Sequence, residues 1–200
     1  MPVSLFSTFE KEFSSTGLEK RSAEAKDWFI ERVKELNGKI NRKALLNDDK
    51  LQQRARVSFV GNMYMFAYDP KLKDELPYYD RFPLVIVIGP APGGFLGLNL
   101  HYLHPKIRAK FLDKLLGTIT DDKLTERTRL KIRYSLLASA KRLREFSPCL
   151  KHYLTGHMKT RPSQVFAPDW ETAIFLPTEH FKGATKTQIW LDSRKQYSAR

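Results

Sequence analysis

NMYMFAYDPKLKDELPYYDRFPLVIVIGPAPGGFLGLNLHYLHPKIRAKFLDKLL, residues 62–116, is the stretch whose reading decides the fold. Asn62 to Tyr68 is apolar or aromatic at nearly every place. In an extended chain Tyr64, Phe66 and Tyr68 fall on one face and Met63, Met65 and Ala67 on the other, so both faces are covered. Leu84 to Ile88 is an uninterrupted apolar run, the signature of a central strand buried on both sides. Phe95 to Leu103 alternates Phe95, Gly97, Asn99 and His101 against Leu96, Leu98, Leu100 and Tyr102, which predicts a third strand. Asp69-Pro70, Leu76-Pro77, Phe82-Pro83, Gly89-Pro90, Pro92-Gly93-Gly94 and His104-Pro105 punctuate the stretch where a central strand cannot continue, because proline has no ladder donor. The glycines after Ile88 lead into another strand rather than a helix. They predict a hairpin turn, not a phosphate loop or a dinucleotide fingerprint.

Outward from this core, Pro105 opens a helix that Gly117 closes, with Ile107, Phe111, Leu112, Leu115 and Leu116 as its buried stripe and Lys106, Arg108, Lys110 and Lys114 as its basic surface. Upstream, Ser22 caps an amphipathic helix in which Ala25, Phe29, Val33 and Leu36 share a face and Gly38 is the stop; Trp28 and Ile30, off the main stripe, read either as widening that face or as a contact for a partner. Residues 1–21 read as a short polar arm with scattered phenylalanines, residues 39–56 as a short helix or a connection, and Val57 to Val60 as a strand. Downstream, Thr125 to Phe146 is the longest helical candidate, ended by Ser147-Pro148. Trp170 to Leu176 and Gln188 to Leu191 read as the strands of a C-terminal hairpin. The predicted class is α+β: a small antiparallel core, an SH3-like barrel or bent sheet, with an N-terminal amphipathic helix, two following helices and the hairpin. The division expected is 1–56, arm and helix, and 57–200, β-rich core with basic helices.

A chain of 200 residues with 42% hydrophobic composition can bury a real core. Its one cysteine, Cys149, allows no internal disulfide and reads as a small buried hydrophobe, which suits a reducing cytoplasm or a particle assembled there. The N-terminus lacks the pattern of a secretory signal, and no apolar run reaches the roughly 18 residues a membrane helix needs, so the expectation is a soluble protein with no membrane partner.

Formal net charge is +13, and its location says more than its size. Residues 1–60 hold 12 Lys/Arg against 9 Asp/Glu, residues 61–104 hold 3 against 4, and residues 105–200 hold 20 against 9. The positive field belongs to the C-terminal half and calls for a polyanion or an acidic protein surface. In the long helical candidate Arg127, Arg129, Lys131, Arg133, Lys141, Arg142 and Arg144 face only Glu126 and Glu145; a merely solvated face mixes signs, because like charges one turn apart repel. With Lys151, Lys159 and Arg161 they form the candidate nucleic-acid surface. The proline-stiffened Tyr78, Tyr79, Asp80 and Arg81 read either as an aromatic protein-docking loop or as a loop tucked onto the rim by its tyrosines.

No catalytic constellation, metal site or cofactor motif stands out. His152 and His157 are not at the i,i+4 spacing of a helical zinc pair and have no cysteine or carboxylate cluster to complete a site. Asp69, Asp74, Glu75 and Asp80 lie in or beside a loop rather than on rigid strand ends, and His101 has no nucleophile or acid at a telling spacing.

GNMYMFAYDPKLKDELPYYDRFPLVIVIGPAPGGFLGLNLHYLHPKIRAKFLDKL, with the tail IFLPTEHFKGATKTQIWLDSRK, resembles a group of virion proteins of large contractile-tailed phages of the T-even and cyanophage type, with its best placement among the DNA end protectors. The resemblance covers roughly residues 57–195, and LPYYDRFPLV and GFLGLNLHYL are its most specific parts. It implies a protein that binds double-stranded DNA ends without sequence preference and denies a host exonuclease its entry point. It brings no catalytic residues. A structural neck, tail or baseplate subunit, its basic surface facing acidic neighbours, is the alternative, and the low charge of residues 61–104 suits docking to a portal, neck or tail protein.

Overall fold

A computed structural model describes residues 4–36, 39–48, 59–117 and 144–198. At its centre lies strand β3 (Leu84–Ala91), the uninterrupted apolar run of the sequence. It pairs on one side with β1 (Met63–Met65) and on the other with β4 (Gly94–Asn99); β6 (Ser163–Val165) extends the sheet beyond β1 and β5 (Leu150–Leu154) beyond β4. Every pairing is antiparallel, in the order β5-β4-β3-β1-β6. Among the described residues β5 and β6 are left as edges, so the sheet there is open rather than a closed barrel. Register explains the apolar run: Leu84, Ile86 and Ile88 face the main core, while Val85 and Val87 face a second cluster of Tyr64, Phe66, Tyr68, Phe95 and Tyr153. Gly94 sits where a Cβ would come 1.8 Å from the Tyr153 carbonyl oxygen, so β4 and β5 meet only because this residue has no side chain.

Three helices cover the main-core face: α1 (Leu5–Ser15), α2 (Ala23–Lys34) and, much later in the chain, a short helix over Trp170–Phe175. Phe29 stacks on Phe13 at 5.2 Å and on Phe175 at 5.4 Å, which joins all three. Arg32 clamps Glu12 through Nε at 2.7 Å and Nη2 at 3.0 Å. Residues 5–15 are thus a packed helix rather than an arm. Phe6, Phe9 and Phe13 recur at helical spacing and are buried, and the polar residues between them lie on the other side. Ser22 caps α2 as its sequence predicts, its hydroxyl accepting the Ala25 N–H. Residues 39–48 include a true short helix, α3 (Arg42–Leu46), capped by Asn41.

Helix α4 (Pro105–Gly117) buries Phe111, Leu112 and Leu115 as expected, but also Arg108, which the sequence places on the basic surface. The third predicted strand stops at Asn99, whose side chain accepts the His101 N–H and turns residues 100–102 into a 3-10 helix. That turn carries His101 out of the alternation and into the interior.

The C-terminal hairpin is overturned. Trp170–Phe175 is helix α5 and Lys186–Ser198 is helix α6. Trp170, Ala173 and Ile174 have helical spacing, and an apolar run this short does not reveal its period by itself. What remains extended is Phe181–Lys182, β7, which pairs with β2 (Tyr79–Asp80) in a separate two-stranded sheet. Strands β5 and β6 appear where the sequence suggested only basic and linking residues. Of the predicted strand 57–60, residues 57–58 lie outside the described residues, and Phe59 to Gly61 form a bend and turn. The long basic helix falls outside them up to residue 143; Arg144–Cys149 is a 3-10 turn containing Pro148.

Replacing Phe29 with alanine removes the ring shared by three helices and should cost about 3–5 kcal/mol. A correspondingly lower urea midpoint is the expected measurement; an unchanged midpoint would show that the first 36 residues do not share the sheet's core.

Candidate nucleic-acid interface

Four separate segments meet at a buried polar cluster beside the sheet. The Asp80 carboxylate accepts from His101 Nδ1 at 2.7 Å, Asn99 Nδ2 at 3.1 Å, and the Phe82 and His180 backbone N–H groups at 2.9 and 3.3 Å. A carboxylate only accepts, so Nδ1 carries the proton, and Nε2 of the same ring lies 3.0 Å from Thr178 Oγ1. Burial pushes the Asp80 pKa up, but the charge attraction and hydrogen bond of His101, with the Phe82 and Asn99 donors, outweigh it and hold the carboxyl below its ordinary range. Arg108 is saturated in the same way: Nε donates to Leu103 O at 2.8 Å, Nη1 to Ile174 O at 3.0 Å, and Nη2 to both His101 O and Glu179 Oε1. Burial raises the Glu179 pKa, and the attraction of Arg108 and His101 together with the Arg108 hydrogen bond more than reverses it. Arg42 completes the cluster by donating to the carbonyls of Thr178 and Glu179.

Asp80, His101 and Thr178 make a line that resembles a catalytic relay. Their exposures are 4%, 0% and 0%, so no substrate reaches the hydroxyl, and the cluster orders the fold. Sequence reasoning missed it because its members are 21 and 77 residues apart. Among the described residues no group of His, Cys, Asp or Glu is placed to hold a metal ion. Both candidate histidines serve carbonyls instead, His152 donating to Pro92 O and His157 to Asp69 O. Cys149 is buried, and burial pushes its thiol up to about 12.

The predicted cations divide into distinct environments. Arg127, Arg129, Lys131, Arg133, Lys141 and Arg142 lie outside the described residues, and Arg144 is described only by its backbone turn. Lys151 is half-buried on β5 with its ammonium 4.2 Å from the centre of the Tyr102 ring, and burial lowers its pKa. Lys159 is exposed and 3.8 Å from Asp69, which also accepts from Lys73. Arg161 is exposed. In the proposed docking loop, Tyr79 and Asp80 are buried in β2, Tyr78 is half-buried and Arg81 is exposed. Tyr78 does line a groove of about 370 Å³, bordered by the exposed Leu72, Leu76 and Leu150.

A second, larger groove of about 580 Å³ separates α4 from α6. Lys106 and Lys110 border it from α4 and Arg194 from α6, over a floor that includes Leu103, Ile107, Trp190 and Leu191. None of its lining residues is acidic. His104 also lines it; burial and the neighbouring Arg108 and Lys106 lower its pKa, so it stays uncharged at neutral pH. The sequence shows both basic segments, but not that they face each other, since residues 106 and 194 meet only once 186–198 is a helix.

A family model described as Phage T4 terminal DNA protecting protein matches residues 10–198. No curated protein and no solved structure matches the chain. Among the described residues no helix is long and apolar enough to cross a membrane.

The buried cluster has a pH signature. Asp80 and Glu179 both have folded pKa values below the unfolded carboxyl range of about 4, so their contribution is complete above that range and is lost as pH falls through the folded values. The urea midpoint should hold from neutral pH to about pH 5 and fall below about pH 4. Asp80→Asn should lose about 3–5 kcal/mol at pH 7 by leaving buried donors without a carboxylate, and should fall less steeply in acid. Parallel curves for both proteins would show that Asp80 is not the titrating group.

Proposed function

The chain belongs to the phage T4 terminal DNA protecting protein family, and we propose that it binds the ends of packaged double-stranded DNA through its basic C-terminal half and shields them from host exonuclease. In this reading it is a virion protein, assembled in the host cytoplasm, without cofactor or enzymatic step. The family match carries the proposal, and the charge distribution supports it: residues 105–200 hold 20 Lys/Arg against 9 Asp/Glu. Contacts to phosphate release counterions and carry no sequence information, which is the chemistry that protection of any genome end requires.

The environments of the cations rank them. Lys151 is committed to Tyr102, and Lys159 shares Asp69 with Lys73, so neither is a fully free phosphate ligand. Arg161 is free to bind, and Arg127, Arg129, Lys131, Arg133, Lys141, Arg142 and Arg144 supply the densest run of positive charge. A second reading adds a protein partner. The groove beside Tyr78 is bordered by three leucines that are 51%, 42% and 43% exposed, which suits an apolar side chain of a portal, neck or tail subunit.

Binding to blunt duplexes should weaken steeply with salt. Changing Arg129, Arg133, Arg142 and Arg144 to alanine should lower affinity and reduce the slope of log K against log salt by roughly 3 to 4. Absence of binding at low salt would overturn the DNA reading. Particles made without the protein should be complete but deliver DNA that is degraded on entry; incomplete tails or unjoined heads would support the structural role instead.

A further inference from the structure

Several features compete for an unassigned role. The Asp80–His101–Thr178 line is enclosed and reaches no ligand. The groove beside Tyr78 is apolar, with Lys71 and Lys151 as its cations, and does not fix the chemistry of its occupant beyond an apolar group. The groove between α4 and α6 combines charge with an apolar floor, and that combination selects one kind of ligand.

Its cations are uncompensated. None of Lys106, Lys110 and Arg194 pairs with a carboxylate among the described residues, and the nearest acids along their helices are already engaged: Asp113 holds Lys26 at 2.6 Å and Asp192 accepts from Gln188 Nε2 at 2.8 Å. Lys106 and Lys110 are one turn apart on the same face of α4, with the planar donor fork of Arg194 brought by the opposite helix. Three like charges gathered without a carboxylate repel one another, and an anion bound between them relieves that repulsion, so the groove suits a negative group.

The floor is equally specific. Trp190 Nε1 donates to His101 O at 2.9 Å and the ring meets His104 edge-on at 5.0 Å, so the indole is fixed in orientation before any ligand arrives. Beside it Leu191 is 47% exposed. A surface made only for duplex phosphates does not need an aromatic ring and an exposed leucine between its cations. Inside a duplex the base faces are stacked on their neighbours. At an end the last nucleotide offers a free base face, and it unpairs at lower cost than an interior one.

Resting on the end-binding reading above, we infer that the groove between α4 and α6 seats the terminal nucleotide of a DNA strand, its base against Trp190 and Leu191 and its phosphate on Lys106, Lys110 and Arg194. A volume of about 580 Å³ is that of a small-ligand pocket, which admits one nucleotide and excludes a whole duplex. End selection then comes from this groove, and general affinity from the basic surface elsewhere.

The experiment compares two DNAs of the same sequence in one salt: a blunt duplex with 5′-phosphates, and a dumbbell closed at both ends by hairpin loops. Wild type should prefer the open duplex by about tenfold, the scale of one aromatic stacking contact. Leu191→Ser, which changes no charge, should lose most of that preference while binding the dumbbell as wild type does. The triple variant Lys106→Ala, Lys110→Ala, Arg194→Ala should lose it as well; all four positions are exposed, and an unchanged thermal midpoint verifies the fold. Full open-end preference in both variants overturns the groove assignment and leaves end binding intact. Equal affinity of wild type for the two DNAs overturns both.

Discussion

The hydrogen bond from His101 to Asp80, enclosed in the protein, is the constraint on which the arrangement depends. A carboxylate removed from water is tolerated only if its oxygens are met by donors, and here the donors come from Phe82, Asn99, His101 and His180. Satisfying one group therefore fixes the β2 strand, the end of β4 and the segment before β7 relative to one another. Arg108 and Glu179 extend the requirement to α4, and Arg42 to α3. The carbonyl of the same His101 accepts from Trp190 of α6 and from Arg108 of α4, which ties the two helices to one turn. A polar cluster inside the protein thus sets the distance between the two helices that wall the basic groove.

The cluster also changes how the net charge should be understood. A formal charge of +13 suggests a uniformly basic surface. Arg108 has no exposed surface, Arg42 is taken by two carbonyls, and Lys151 sits over an aromatic ring with its charge partly desolvated. Those three hold the fold together. Lys106, Lys110 and Arg194, which pair with no carboxylate among the described residues, are brought to one groove by helix packing rather than by sequence proximity. In the proposed reading an anion would therefore be met at particular places, even though binding through phosphates makes no distinction among base sequences.

The residues that could be read in advance were those whose neighbours in space are also neighbours in sequence. Leu84 to Ile88 had to be a two-sided central strand, Ser22 had to cap a helix, and Pro105 to Gly117 carried both its start and its stop. Phe6, Phe9 and Phe13 had the spacing of a helix, but a segment so rich in serine and glutamate did not suggest a buried face. Trp170 to Leu176 failed for the opposite reason: a short apolar run satisfies a strand and a buried helix equally, and tertiary packing decided. Arg108 among lysines looked like surface, because nothing local announces that four acceptors will gather around it. The groove depended on the misread C-terminal segment, so it could not have been found before the helix was.

One discrepancy resolves once the cluster is known. The phrases that carry the family resemblance, LPYYDRFPLV and GFLGLNLHYL, lie in the least basic part of the chain, which sits badly with the proposed binding of DNA. Those phrases contain Asp80, Phe82, Asn99 and His101, the donors and acceptor of the buried cluster, and Gly97, whose missing Cβ leaves room for Val85. Phosphate binding asks only for positive charge near the right position, so many sequences meet it. A carboxylate enclosed with four matched donors, beside strands packed too closely for a side chain, admits few. The recognisable residues are then those that build the scaffold, and the residues that would touch DNA are held by it without needing so exact a sequence of their own.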